Sequence, residues 1–120
     1  MTRYRLSRLA EADLIGILAA SSRRWGADGR SRYASLLVAA MRKIAAEPGG
    51  PATRRREELR PGIRSFHLQH ARSTDQAGRV RRPVHVLYYR AVTPDLIEIV
   101  RVLHERMEPS RHLVEVSEDP

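Results

Sequence analysis

The residue types that could do chemistry on a phosphodiester lie in the second half of the chain, at Arg64, Arg90, Arg101 and His104. Cleavage through a neighbouring 2′-hydroxyl needs a group to remove its proton, a group to protonate the leaving oxygen, and cations for the charge that builds on phosphate. The three arginines can supply the cations, and His104 is a candidate acid or base. Their setting is Leu96–Leu113, LIEIVRVLHERMEPSRHL, where a β-branched run gives way to Arg101, His104, Arg106, Arg111 and His112. A rigid strand end with access to solvent suits a catalytic centre and a recognition surface alike. Each residue also has a structural reading. His104 can end the strand with a local hydrogen bond, and Arg64 or Arg101 can pair with Glu98 across a sheet. In so apolar a strand, Arg101 is expected to be buried with a partner.

Other reactive types are absent or scattered. The chain has no cysteine, which excludes disulfides, thiolate nucleophiles and cysteine-ligated zinc. His67 and His70 are three apart, so a strand would place them on opposite faces; no metal site and no cofactor are expected. The run Arg54, Arg55, Arg56 has no interleaved aromatic and is followed by Glu57 and Glu58, the pattern of a solvated loop rather than a base-stacking surface.

A length of 120 residues favours one domain with a single core, expected over 1–114, followed by an acidic tail at 115–120. The net charge is +8, and among the 22 basic residues Lys43 is the single lysine. Arginine's planar fork of donors suits carboxylates and phosphates, so an acidic protein or nucleic acid is the expected class of partner. No apolar run approaches the roughly 18 residues of a membrane span, and the N-terminus lacks a signal-peptide pattern. The expected location is the cytoplasm.

The elements that must hold these residues follow from periodicity. Arg3–Leu6 alternates as a short edge strand. Ser7 is a candidate N-cap, with Glu11 and Asp13 near the positive end of the helix that follows. That helix carries a stripe of Leu14, Ile17, Leu18, Ser21 and Trp25 and stops at Gly26. Asp28 is placed to cap a second helix, with Tyr33, Leu36, Leu37, Ala40, Met41 and Ile44 on one face, ended by Glu47-Pro48-Gly49-Gly50-Pro51. So short a connection implies an antiparallel helical hairpin. Pro61-Gly62 turns into a strand over 63–68. A polar loop over 71–82 precedes a central strand over 84–89, and Thr93-Pro94-Asp95 turns into the last strand, 96–103. The fold class is α+β, in the order β-α-α-β-β-β, with the hairpin packed on a mainly antiparallel twisted sheet.

This order, together with Glu58-Leu59-Arg60-Pro61-Gly62-Ile63-Arg64-Ser65-Phe66, His85-Val86-Leu87-Tyr88-Tyr89-Arg90 and Ile99-Val100-Arg101-Val102-Leu103-His104-Glu105-Arg106-Met107, resembles the ParE toxins of the RelE/ParE superfamily. The resemblance runs from Tyr4 to Leu113. It implies the toxin of a type II toxin-antitoxin pair, silenced by an acidic ParD-like antitoxin, with DNA gyrase as target and DNA contact only through the antitoxin complex. RelE-like relatives, with the same fold, are ribosome-dependent mRNA endonucleases, and a plain nucleic-acid-binding module is a third reading. RelE-like sites resemble a set of basic strand residues completed by lysines and a terminal tyrosine. Here no tyrosine follows Tyr89, which favours a non-catalytic inhibitor over an enzyme. The binding residues expected on this view are Arg64, Arg90, His104, Arg106 and Arg111. Leu14, Ile17, Leu18, Leu36 or Leu37 would form an apolar floor, with Arg23 and Arg32 on the rim.

Overall fold

The computed structural model describes residues 2–72 and 80–113. The acidic tail and most of the polar loop over 71–82 lie outside them. Strand β1 is Arg3–Leu6, helix α1 Arg8–Ala46, β2 Arg54–Arg55, β3 Arg64–His67, β4 His85–Thr93, β5 Leu96–His104 and α2 Pro109–Leu113. The sheet runs β1-β5-β4-β3-β2, antiparallel from β2 to β5, with β1 parallel to β5 at one edge.

Ser7 caps α1: its hydroxyl accepts from Ala10 N at 3.0 Å and donates to the Val100 carbonyl at 2.8 Å. One residue therefore sets both the start of the helix and its seat against β5. A straight helix of 39 residues would run about 58 Å at 1.5 Å per residue. The whole molecule extends only 38 Å. The helix doubles back at Gly26, whose φ of 75° belongs to the left-handed region open to glycine. The expected hairpin is therefore present with a turn of one residue. Asp28 lies already inside the second arm, so Gly26 makes the break and Asp28 does not cap it. Close approach at this corner also explains Gly29, where a Cβ would stand 2.3 Å from the Cβ of Trp25.

Both arms cover one face of the sheet. Ala10 of the first arm and Leu36, Leu37, Ala40 and Ile44 of the second join Phe66, Leu87, Tyr89 and Ile99 in the main core. A smaller cluster of Ile63, Tyr88, Val100, Leu103 and Leu113 fills the opposite face under α2.

A bulge governs the far half of β5. Tyr88 pairs with Arg101 but Tyr89 pairs with Ile99, leaving Val100 as an extra residue. The alternation slips there, so Ile99 and Val102, three apart, reach the same core. Arg101, opposite Tyr88 at the bulge, bonds Asp13 of α1 rather than Glu98. Two short elements depart from the sequence expectation. Arg54–Arg55, expected as loop, forms an edge strand on β3. The chain after His67 also turns into a 3-10 helix, Leu68–Ala71.

A candidate partner-binding groove

An open groove of about 710 Å³ lies between the first arm of α1 and the ends of β4 and β5. Ala12, Gly16, Ile17 and Ala20 form its helical wall, and Val84, His85, Leu103 and His104 its strand wall. Trp25 and Met107 flank it and stay exposed. Small residues on the helix leave room, because nothing stands within 4 Å of a Cβ at Gly16. Arg24 and Arg82 add positive charge, and the Arg24 guanidinium lies 5.0 Å from the centre of the Trp25 ring. Among the described residues Asp13 is the one acid that lines the groove.

That acid is engaged within the fold. The Arg101 guanidinium donates to Asp13 through Nε at 2.8 Å and Nη2 at 3.0 Å, and to the His112 carbonyl through Nη1 at 3.1 Å. Val102 N donates to the same carboxylate at 2.9 Å. Beyond Leu6 strand β1 no longer covers β5, and Asp13 occupies that open edge in place of a strand. The bulge, the helix start and α2 are thereby joined by one fork-to-fork ion pair, the geometry in which arginine binds carboxylate best.

The strand wall carries linked histidines. Val84 N donates to the Tyr33 hydroxyl at 3.2 Å, and the same hydroxyl shares a hydrogen bond of 2.6 Å with His85 Nδ1. Burial pushes the Tyr33 phenol up to about 12. Burial, then the neighbouring His104, pushes the His85 imidazole down to about 4. The two histidine rings meet edge to face, 5.7 Å apart. Arg106 N donates to His104 Nδ1 at 3.1 Å, the local hydrogen bond expected at a strand end. On the other side of the strand His67 Nε2 donates to Glu105 at 2.7 Å and holds that carboxyl below its usual range. His70 lies on the 3-10 turn rather than on β3, which brings its ring within 6.5 Å of His67 instead of across the sheet.

Arg64, Arg90, Arg101 and His104 do not form one centre. Arg101 is 8% exposed and bound to Asp13. Arg90 pairs with Glu98, which also takes Arg5, on the sheet face away from α1. Arg64 donates to Thr53 Oγ1 at 2.8 Å near Tyr89, and its Nε is buried without a hydrogen-bond partner among the described residues. His104 pairs with His85 in register, so Arg90 lies five residues farther along β4, about 17 Å at the usual strand rise. The expected cross-sheet pairing of Arg64 or Arg101 with Glu98 is replaced by these bonds. Arg56, near β2, pairs with Glu58 at 2.7 Å and lies over Tyr88.

Of the apolar residues expected on a binding floor, only Ile17 lines the groove. Leu14 and Leu18 are half-buried against the core, and Leu36 and Leu37 lie wholly within it, with Leu37 only 2% exposed and offering no surface. Arg106 and Arg111 are exposed beyond β5 and Arg23 on α1, where Arg32 is half-buried. Asp13, Tyr33 and His85 stand out only in three dimensions, although a histidine inside so apolar a strand as Val84–Tyr89 is a signal the sequence carries.

The ParE toxin model, described as the ParE toxin of the type II toxin-antitoxin system parDE, matches residues 4–109. Toxin ParE1 of Caulobacter vibrioides is 37% identical over 113 residues, covering 94% of this chain and 99% of the relative. Toxin ParE1 of Mycobacterium tuberculosis is 36% identical over 112 residues, covering 93% and 98%. A solved chromosomal ParDE TA system from P. aeruginosa has a chain of the same fold, with a TM-score of 0.64 at 21% identity over 87% of this chain and 95% of that one. Sequence, element order and fold agree: this chain belongs to the family of ParE toxins of type II toxin-antitoxin systems.

Proposed function

We propose that this toxin is silenced by a cognate acidic ParD-like antitoxin seated in the groove between α1 and β5. The observation that carries this reading is an apolar groove rimmed by Arg24 and Arg82 in a chain of charge +8, whose one lining acid among the described residues is already bound to Arg101. An amphipathic segment, apolar on one side and acidic on the other, fits those walls and that rim. Charged rims act chiefly on encounter, so association should slow steeply between low and high salt while release changes little. The test is stopped-flow mixing with the purified antitoxin over a salt series. Association rates flat across the series refute the groove assignment.

The proposed target is DNA gyrase, as membership of the ParE family implies, and the proposed location is the cytoplasm, where that target lies. The chain acts by binding rather than by catalysis. The dispersal of Arg64, Arg90, Arg101 and His104, with Arg101 bound to Asp13, supports this reading. Inhibition of gyrase supercoiling by the purified chain is the expected result. Cleavage of ribosome-bound mRNA with gyrase unaffected would reverse the reading in favour of a RelE-like nuclease. Among the described residues no helix is long and apolar enough to cross a membrane.

A further inference from the structure

We propose that His85 and His104 form a carboxylate lock in the groove, which selects an antitoxin segment bearing an Asp or Glu at one buried position. The inference rests on the groove being the antitoxin's seat and adds what chemistry must enter it.

The argument starts from proton positions. A backbone N–H can only donate, so the bond from Arg106 N makes His104 Nδ1 an acceptor, and the neutral ring must carry its proton on Nε2. His85 reaches the same state by another route. Tyr33 receives the Val84 N–H, and among the described residues His85 Nδ1 is the one acceptor beside its own proton, which assigns the His85 proton to Nε2. His67 shows the same arrangement with its ligand in place: Gln69 N binds Nδ1, and Nε2 donates to the carboxylate of Glu105. For His85 and His104, no described residue takes the Nε2 proton. Both rings line the groove, with centres 5.7 Å apart.

Two preset donors in an apolar cleft are a recognition element of known preference. A carboxylate has two acceptor oxygens, one for each ring, and hydrogen bonds to a charged acceptor are the stronger kind. The surroundings add the cations Arg24 and Arg82, and the acid lining the groove among the described residues, Asp13, is held by Arg101 and Val102. An amide has one acceptor oxygen to share between the two rings, and that oxygen carries no charge. A carboxylate therefore should be preferred over its amide, and an apolar carboxylate over acetate, since the walls are largely Ala, Ile, Val and Leu.

The test uses the full chain with 4-phenylbutyrate and its neutral twin 4-phenylbutyramide, followed by long-range proton–nitrogen spectra of the histidine rings. The free chain should show Nε2-protonated rings for both residues. The carboxylate should move both sets of ring signals and bind at least about tenfold more tightly than the amide. His104→Asn keeps an acceptor for Arg106 N but removes the distal donor, and should abolish the preference. His104→Gln places an amide donor near the Nε2 position and should retain it. Equal binding of acid and amide, or acid binding that leaves both rings unmoved, or no acid binding at all, overturns the proposal. Cognate antitoxin that binds His104→Asn as tightly as the parent chain removes the lock but keeps the pairing. Failure of antitoxin to bind the parent chain removes the pairing, while the small-molecule arm still reports on the histidines.

Discussion

Replacing Asp13 by Ala should be the most damaging single change on the surface of this fold. The carboxylate receives two bonds from Arg101 and one from Val102 N, and the two side chains are only 10% and 15% exposed. Removing one member of a buried ion pair costs roughly 3–5 kcal/mol, because the remaining charge keeps its desolvation but loses its counter-charge. The Val102 amide at the open edge loses its acceptor as well, though water can enter there and reduce that cost. The expected loss for Asp13→Ala is therefore about 4 kcal/mol, and Asp13→Asn, which keeps one acceptor, should lose about half. At a urea slope of about 1.5 kcal/mol per molar, typical of a small domain, the Ala variant's midpoint falls by roughly 2.7 M. The double change Asp13→Leu with Arg101→Met removes both charges and should recover most of the loss, since apolar pairs commonly substitute for buried ion pairs without penalty. Urea denaturation of the four proteins, followed by circular dichroism, measures all of this. A loss under about 1 kcal/mol for Asp13→Ala, or a double variant no better than Asp13→Ala, refutes the assignment of Asp13 as the clamp at the β5 edge.

The His85 imidazole, pushed down to about 4 in the fold from 6.5, takes up its proton later than the unfolded chain does. Stability should therefore fall as pH drops from about 6.5 towards 4, by up to roughly 3 kcal/mol from this residue, and His85→Phe should flatten that slope in urea titrations at several pH values. Gly29→Ala drives a Cβ into Trp25 and should cost about 1–3 kcal/mol, read from the thermal midpoint. Gly16→Ala meets open space in the helix and should be neutral or stabilising by up to about 1 kcal/mol, while its methyl narrows the groove and weakens antitoxin binding in calorimetry. Leu36→Ala, at a core position with no exposed surface, should lose about 2–5 kcal/mol in urea.

Local signals carried much of the architecture. Ser7 caps α1 because its hydroxyl answers the orphan amides of the first turn, and that pairing lies within four residues. Gly26 and the stretch from Glu47 to Pro51 mark the helix ends through backbone rules that operate residue by residue. The strands at 64–67, 85–93 and 96–104 follow from β-branched runs between turn residues, with ends shifted by a few positions. The short α2 carries little pattern in its five residues, and β2 is two arginines that become a strand only because β3 lies beside them.

The hairpin, the last three strands, the basic charge and the apolar stripes were legible in the residues, because each is set by neighbours a turn or a strand step away. Tertiary structure alone decided what the charged residues do. Arg101 binds Asp13, 88 positions earlier in the chain, rather than Glu98, and no local rule reports so distant a partner. The same fold placed His85 against Tyr33 and His104, 52 and 19 positions away, and so joined isolated side chains into the wall of a groove. Periodicity shows which faces are apolar, but which apolar face is left uncovered depends on how long-range partners pack. For that reason Leu37 lies in the core while Trp25, on a stripe that resembles core, stands 57% exposed beside the groove.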